Sequence, residues 1–222
     1  MLYDELKDRN FEIITVAEDT RGIQDAGPWM TAKMLPMDAP VRSGPPPERI
    51  PLTHTALIDQ EHLVSKLYNM VNVPTGVWIN EQGRIVRPNE TAYVDDRLKY
   101  IHQLESAPYI AALRDWVEKG EQSAYVFSEE RLRERLAPQD SNWPLAAAEF
   151  GLGEYLYKIG HLPEAIRHFK EAQRLNPESW NYKRQAWLLS DSKRDYGTTF
   201  REEVAKLNGK RYYPLRDLPG ER

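Results

Sequence analysis

Thiol chemistry needs a cysteine, and the 222-residue chain has none. Disulfides, thiolate metal sites and a cysteine nucleophile are therefore excluded within these residues. Other residue types capable of chemistry are sparsely placed. His54, His62, His102, His161 and His168 form no HExxH or other metal-ligand spacing. His161 and His168 are seven apart, on what read as two different helices. Gly151–Leu152–Gly153 lies in a helical stretch with no strand before it, so it is no dinucleotide fingerprint. The chain has no GxxxxGK[ST] phosphate loop and no GxSxG elbow. Ser65, Ser123 and Ser190 lack a supporting base. Glu18 and Asp19 follow a strand at the end where α/β sheets gather their sites, although solvation of a loop also explains them. Trp29 either lines the same face or anchors the excursion over 21–52. No metal and no cofactor are expected from these residues.

Composition sets the frame that must position such groups. Apolar residues make up 41% and charged residues 29%, which suits a folded globular chain rather than a disordered one. The length allows one domain or two small ones. A net charge of -4 argues against nucleic-acid binding through bulk positive charge. No apolar run reaches the ~18–20 residues of a membrane span. The start, MLYDELKDRN, is charged from position 4 and shows no signal peptide, so a cytoplasmic location is expected.

The first half alternates between helix and strand. Leu2 to Arg9 places Leu2, Tyr3 and Leu6 on one helical face. Phe11 to Ala17 (FEIITVA) is nearly all apolar and predicts a strand covered on both faces. A short helix falls within 23–34. Residues 39–51 carry five of the sixteen prolines and predict a surface loop. Thr55 to Asp59 is a strand, and Gln60 to Met70 a helix with Leu63, Leu67 and Met70 spaced for burial. Thr75 to Asn80 and Arg84 to Arg87 flank Glu81–Gln82–Gly83, a β-hairpin signal. Asp95 to Glu105 and Ile110 to Lys119 predict two helices, broken near Pro108. From Ser128, a candidate N-cap, nearly everything reads as helix. Pro138 stops the first of these helices. A helix–turn–helix runs from Pro144 to Asn176, and a third helix from Glu178 to Leu189. Trp180, Tyr182 and Trp187 read as packing aromatics.

Residues 146–179 (AAAEFGLGEYLYKIGHLPEAIRHFKEAQRLNPES) are 34 residues long and resemble one tetratricopeptide repeat. The matching positions are Leu152, Gly153, Tyr157, Gly160, Ala165, Phe169, Ala172 and Pro177. Gly153 and Ala165 are small enough for two antiparallel helices to approach. Gly160 permits the turn, Phe169 and Ala172 pack the inner face, and Pro177 ends the unit. Glu149 stands where the repeat usually has tryptophan, and Leu156 takes a position that is often aromatic. One full repeat and a capping helix fall short of the roughly three units a stacked array needs. The hairpin is then either a helical bundle packed on its neighbours or a docking place for a protein partner.

The segment LYNMVNVPTGVWINEQGRIVRP carries a proline before a strand and a glycine-tipped hairpin. Together with the helix and strand of LYDELKDRNFEIITVAED and the strand TALID, this order resembles the thioredoxin-like redoxins. The resemblance is in particular to the group containing alkyl-hydroperoxide-reductase/thiol-specific-antioxidant and ResA/TlpA-type proteins. The resemblance implies an α/β thioredoxin-like domain with a mixed sheet over 1–105. A helical connector (106–143), the tetratricopeptide-like hairpin with its capping helix (144–190) and a C-terminal helix and tail (191–222) follow. It implies thiol–disulfide exchange or peroxide reduction as the family activity. A protein disulfide or redox partner would be its counterpart, with Val73, Pro74 and Thr75 shaping substrate access.

The redoxin nucleophile sits just before the first helix, whose N-terminus lowers its pKa. Here Met1 falls at that helix. The strand and redox motif that should precede it are absent from the sequence, and the chain as it stands is expected to be inactive. Three origins fit. The chain is a degenerate redoxin, or its start is placed too late. In a special case of the second, the missing residue is selenocysteine, as in ResA-like selenoproteins with a WAxxUGSH-type motif and a downstream helical region. A non-catalytic interaction module built on the tetratricopeptide-like helices is the alternative function.

Overall fold

The computed structural model describes residues 2–30, 52–96, 99, 103–137, 140–208, 210, 212–213 and 216–219. The proline-rich stretch 39–51 and His102 lie outside the described residues. The chain is of mixed α/β class. It forms two compact units that interleave in sequence. One comprises Met1–Gln60, Pro74–Arg135 and Leu215–Arg222; the other comprises Glu61–Val73 and Leu136–Pro214.

The first unit opens with helix α1 (Leu2–Leu6), strand β1 (Ile14–Glu18) and helix α2 (Ile23–Ala26). Strand β2 (Thr55–Asp59) pairs parallel with β1, placing Val16 opposite Leu57. Strands β3 (Thr75–Ile79) and β4 (Ile85–Thr91) form an antiparallel hairpin. Its tip is closed by Asn80, whose Oδ1 accepts from the backbone N–H of Gln82 and of Arg84. The two pairs are separate two-stranded sheets. This corrects one expectation. A strand covered on both faces was predicted over 11–17, yet Ile14 is 60% exposed and Thr15 is exposed too. The reason is topological: β1 has a neighbour on one side only among the described residues.

Helix α4 (Ser106–Lys119) takes in the predicted helix Ile110–Lys119 and begins four residues earlier; the middle of the other predicted helix, Asp95–Glu105, lies outside the described residues. Pro108 lies in its first turn, where a missing N–H breaks no intrahelical bond. Helix α5 (Glu129–Leu136) follows, with Ser128 Oγ accepting from the Arg131 N–H at 3.2 Å. The core of this unit gathers Trp78, Val86, Tyr109, Ala112 and Leu113 around Leu218 from the far end of the chain. Trp78 stacks on Trp116 at 5.0 Å and donates its indole N–H to the Tyr109 hydroxyl at 3.1 Å.

The second unit contains helix α3 (Leu63–Leu67), shorter than predicted and with Leu63 and Leu67 exposed rather than buried. It also holds α6 (Trp143–Lys158), α7 (Leu162–Leu175), α8 (Trp180–Leu188), α9 (Ser192–Tyr196) and α10 (Phe200–Ala205). Helices α6 and α7 form the antiparallel hairpin. Phe169, Ala165 and Ala172 are fully buried between them, with Phe150, Ala186 and Leu189. A Cβ on Gly153 would lie 2.7 Å from the Phe169 ring, so only glycine lets the two helices close to this distance. Gly160 takes φ +85° at the turn, a conformation costly for any residue with a side chain. Helix α7 stops at Leu175, two residues before Pro177. Leu152 stands apart from this core: it is 43% exposed.

Candidate functional site

Three places have a definite side-chain geometry, and one of them, the proline loop, was singled out in the sequence. At the proline loop the chain passes from the second unit (Val73) to the first (Pro74). In the second unit, the Val73 N–H donates to Asn72 Oδ1 at 2.9 Å, and its carbonyl accepts from the Tyr213 hydroxyl at 3.0 Å. The preceding backbone is held as firmly. The Val71 carbonyl accepts from the N–H groups of Trp180 (2.7 Å) and Asn181 (3.2 Å), and Asn181 Nδ2 donates to the Met70 carbonyl. These are the otherwise unmatched donors at the start of α8. Any extended ligand reaching the Val73 carbonyl must therefore displace Tyr213. In the first unit, the Pro74 carbonyl accepts from the Ala92 N–H at 3.2 Å and Thr75 pairs with Thr91, which seats the hairpin.

Behind that hairpin lies a buried charge cluster that the sequence did not announce. Arg87 is fully buried and Glu90 is 1% exposed. Residues three apart on a regular strand face opposite sides. Here the β3–β4 register slips at Trp78, and Asn89 takes φ +44°. This bulge turns both side chains inward, with Arg87 Nη2 at 3.3 Å from Glu90 Oε1. Pro88 supplies no N–H and is tolerated because the ladder is already broken there. Arg87 donates to the carbonyls of Tyr125 and Asp217, and its guanidinium lies 4.2 Å from the centre of the Phe127 ring. Arg135 reaches Glu90 at 3.8 Å, and the Asp217 N–H donates to Glu90 Oε2. Burial pushes the Glu90 carboxyl above its ordinary value, against the pull of both arginines, and lowers the Arg87 guanidinium. The cluster ties β4 to the C-terminal segment. Sealed from solvent, it offers no surface to a substrate. The visible signal is Pro88–Asn89 inside an otherwise strand-like run.

The second unit holds a histidine–carboxylate pair. His62 Nε2 lies 3.3 Å from Glu154 Oε1, with side chains 5% and 3% exposed. The His62 ring meets the Phe150 ring edge-on at 5.4 Å. A base–carboxylate pair would need a nucleophile to do acyl chemistry. Ser65, one turn away, donates its hydroxyl to the His62 carbonyl instead, at 3.2 Å. The remaining histidines are dispersed: His54 bonds Thr15 Oγ1 at 3.2 Å and His168 meets Glu149 at 2.6 Å. Among the described residues, no group of three acidic or histidine side chains is placed to hold a metal ion. Asp19 accepts from the Arg21 N–H in a tight loop, and Trp29 is half-exposed. An open groove of about 260 Å³ is lined by Arg184, Trp187, Leu188, Ser192 and Phe200.

The architecture defines a mixed α/β chain with an α-helical second unit and no catalytic constellation among the described residues. No protein-family profile, curated protein or solved structure matches the chain. No helix among the described residues is long and apolar enough to cross a membrane.

Proposed function

We propose that the first unit is a thioredoxin-like redoxin scaffold and that the helices α6 to α8 are a tetratricopeptide-like module. The observation that carries this reading is the pair of separate sheets within one unit. Among the described residues, the parallel pair β1–β2 and the antiparallel hairpin β3–β4 each have both outer edges without a strand neighbour. Inserting a single strand between β1 and β3 would yield one mixed sheet with the strand types of a redoxin. In that family, the inserted strand delivers the redox residue. The 222 residues contain no thiol, so disulfide exchange or peroxide reduction requires a nucleophile they do not supply. The residues at hand contribute the flanking strands and the proline turn at Val73–Pro74–Thr75.

The test is a fusion that places a valine-rich strand and a CxxC motif directly before Met1. Backbone amides of β1 and β3 are expected to gain hydrogen-exchange protection together, and the fusion to reduce insulin with a dithiol as electron donor. The unfused chain is expected to show no turnover. A folded fusion in which β1 and β3 exchange as before would overturn the reading, as would turnover by the unfused chain. A non-catalytic interaction module is the second reading, favoured by the apolar residues that α6 leaves exposed. Under it, the fusion changes neither measurement.

A further inference from the structure

The open groove of about 260 Å³ lies wholly within the second unit. Arg184, Trp187 and Leu188 stand three and four apart on α8 and so share one helical face. Ser192 and Phe200, the first residues of α9 and α10, complete the lining. Leu188 is 48% and Phe200 39% exposed, whereas Trp187 is nine-tenths buried. The Phe200 ring meets Trp180 edge-on at 6.0 Å and Tyr212 at 5.6 Å, which fixes the wall it forms.

One full charge lines this groove, and it is positive. Arg184 is exposed, with its guanidinium 5.9 Å from the centre of the Phe200 ring. Among the described residues no carboxylate pairs with it. Those at hand on α9 and α10 are committed elsewhere: Asp195 to Arg194, Glu202 to Lys193 and Glu203 to Lys206. Asp191 accepts from the Arg194 N–H. Trp187 also carries a buried indole N–H with no acceptor among the described residues.

We propose that the groove binds a small monocarboxylate with an aromatic or branched-alkyl body. The carboxylate takes the Arg184 fork, whose parallel N–H donors match its two oxygens. The apolar body covers Trp187, Leu188 and Phe200. Size and charge select this occupant. At about 30 Å³ per water the groove holds roughly nine waters, which suits an acid of about ten non-hydrogen atoms. It falls short of the ~300 Å³ at which sites for drug-sized ligands begin. A nucleotide brings more negative charge than one guanidinium answers. A sugar would press hydroxyls on apolar walls without partners. The groove is open and the ligand small, so the dissociation constant is about 1 mM.

The test titrates 3-phenylpropionate into the native chain labelled with ¹⁵N. The six tryptophan indole N–H signals report binding, that of Trp187 being assigned by Trp187→Phe. The Trp187 signal is expected to move saturably, while those of Trp78 and Trp116 in the first unit stay in place. 3-Phenylpropionamide, of the same shape without the charge, should bind about tenfold more weakly. Arg184→Gln should lose this preference for the acid. Leu188→Ser should weaken acid and amide alike. Both side chains are exposed, so the circular dichroism spectrum should not change. A Trp187 signal unmoved at about 10 mM acid would overturn the proposal. So would an Arg184→Gln chain that still prefers the acid, or equal movement of all six signals.

Discussion

Leu218 provides the sharpest test of how the first unit is held together. It lies four residues from the end of the sequence, yet is 1% exposed and packs among Trp78, Val86, Tyr109, Ala112 and Leu113. Replacing it with alanine removes about three buried carbons, worth roughly 2.4 kcal/mol in transfer energy at about 0.8 kcal/mol each. A cavity cost adds to this, and measured leucine-to-alanine changes in cores span about 2.7–5 kcal/mol. The walls here are poor at collapsing. Trp78 is stacked on Trp116 and hydrogen-bonded to Tyr109, so neither ring can swing into the space. The expected loss is therefore about 4 kcal/mol, a large part of the roughly 5–15 kcal/mol that holds a domain folded. At roughly 3 °C per kcal/mol, the midpoint of this unit falls by about 12 °C. Tryptophan fluorescence would mix the two units, because Trp78 and Trp116 belong to one and Trp180 and Trp187 to the other. Hydrogen exchange of the β3, β4 and α4 amides in urea resolves the first unit alone. Val94→Ala, at a 56% exposed position of the same unit, serves as the control and should stay within about 0.5 kcal/mol. A Leu218→Ala chain within about 1 kcal/mol of the native one would refute a core built around the C-terminal segment.

Three further outcomes follow from the same packing. Gly153→Ala forces a Cβ to 2.7 Å from the Phe169 ring and 3.3 Å from the Ala165 carbonyl, so it should destabilise the second unit by about 1–3 kcal/mol in urea unfolding. Thr199 caps α10 reciprocally with Glu202, and Thr199→Ala should cost about 1 kcal/mol, read as faster exchange of the α10 amides. Glu90 predicts a pH slope. Its folded-state value is raised by burial, so the folded chain keeps a proton that the unfolded chain has released. Stability from this group therefore falls as pH rises from the unfolded value of about 4.3 through the folded one, and is level above it. Comparing Glu90→Gln with the native chain across that window should show the native chain losing ground as pH rises; the opposite slope would contradict the assignment.

Local signals carried the hairpin and the helical pair. The alternation in TGVWIN and RIVR and the glycine between them need only neighbours to act, and β2 falls on Thr55–Asp59 as read. Gly153, Ala165 and Phe169 were legible because close helix packing demands small residues at fixed spacing. What escaped depends on partners distant in sequence. Nothing within 216–219 says that Leu218 fills a core built from residues 78–113 or that the Asp217 carbonyl receives Arg87. The inward turn of both Arg87 and Glu90 depends on a register slip, which a period-two reading of the strand misses. Leu63 and Leu67 have a buried helix's spacing but lie exposed, since spacing alone does not identify what covers a face. The same holds for Leu152. As a repeat-packing position it was expected in the hairpin core, whereas it is 43% exposed and outside the buried cluster.

The first unit buries what proteins usually expose and exposes what they usually bury. Arg87 and Glu90 are sealed, while Ile14 on β1, Leu57 on β2 and Ile79 on β3 are 60%, 50% and 43% exposed. A lone exposed apolar residue is ordinary. Three of them on strands whose outer edges have no strand neighbour among the described residues are a different matter, because an open edge with apolar neighbours invites strand pairing. An apolar ligand lying on the faces would cover these side chains without touching the backbone. A strand between β1 and β3 would pair both edges as well. Loss of dye binding at the apolar faces is common to the two cases. Joint protection of the β1 and β3 amides belongs only to the strand, and for that reason hydrogen exchange is the measurement that distinguishes an incomplete sheet from a merely greasy surface.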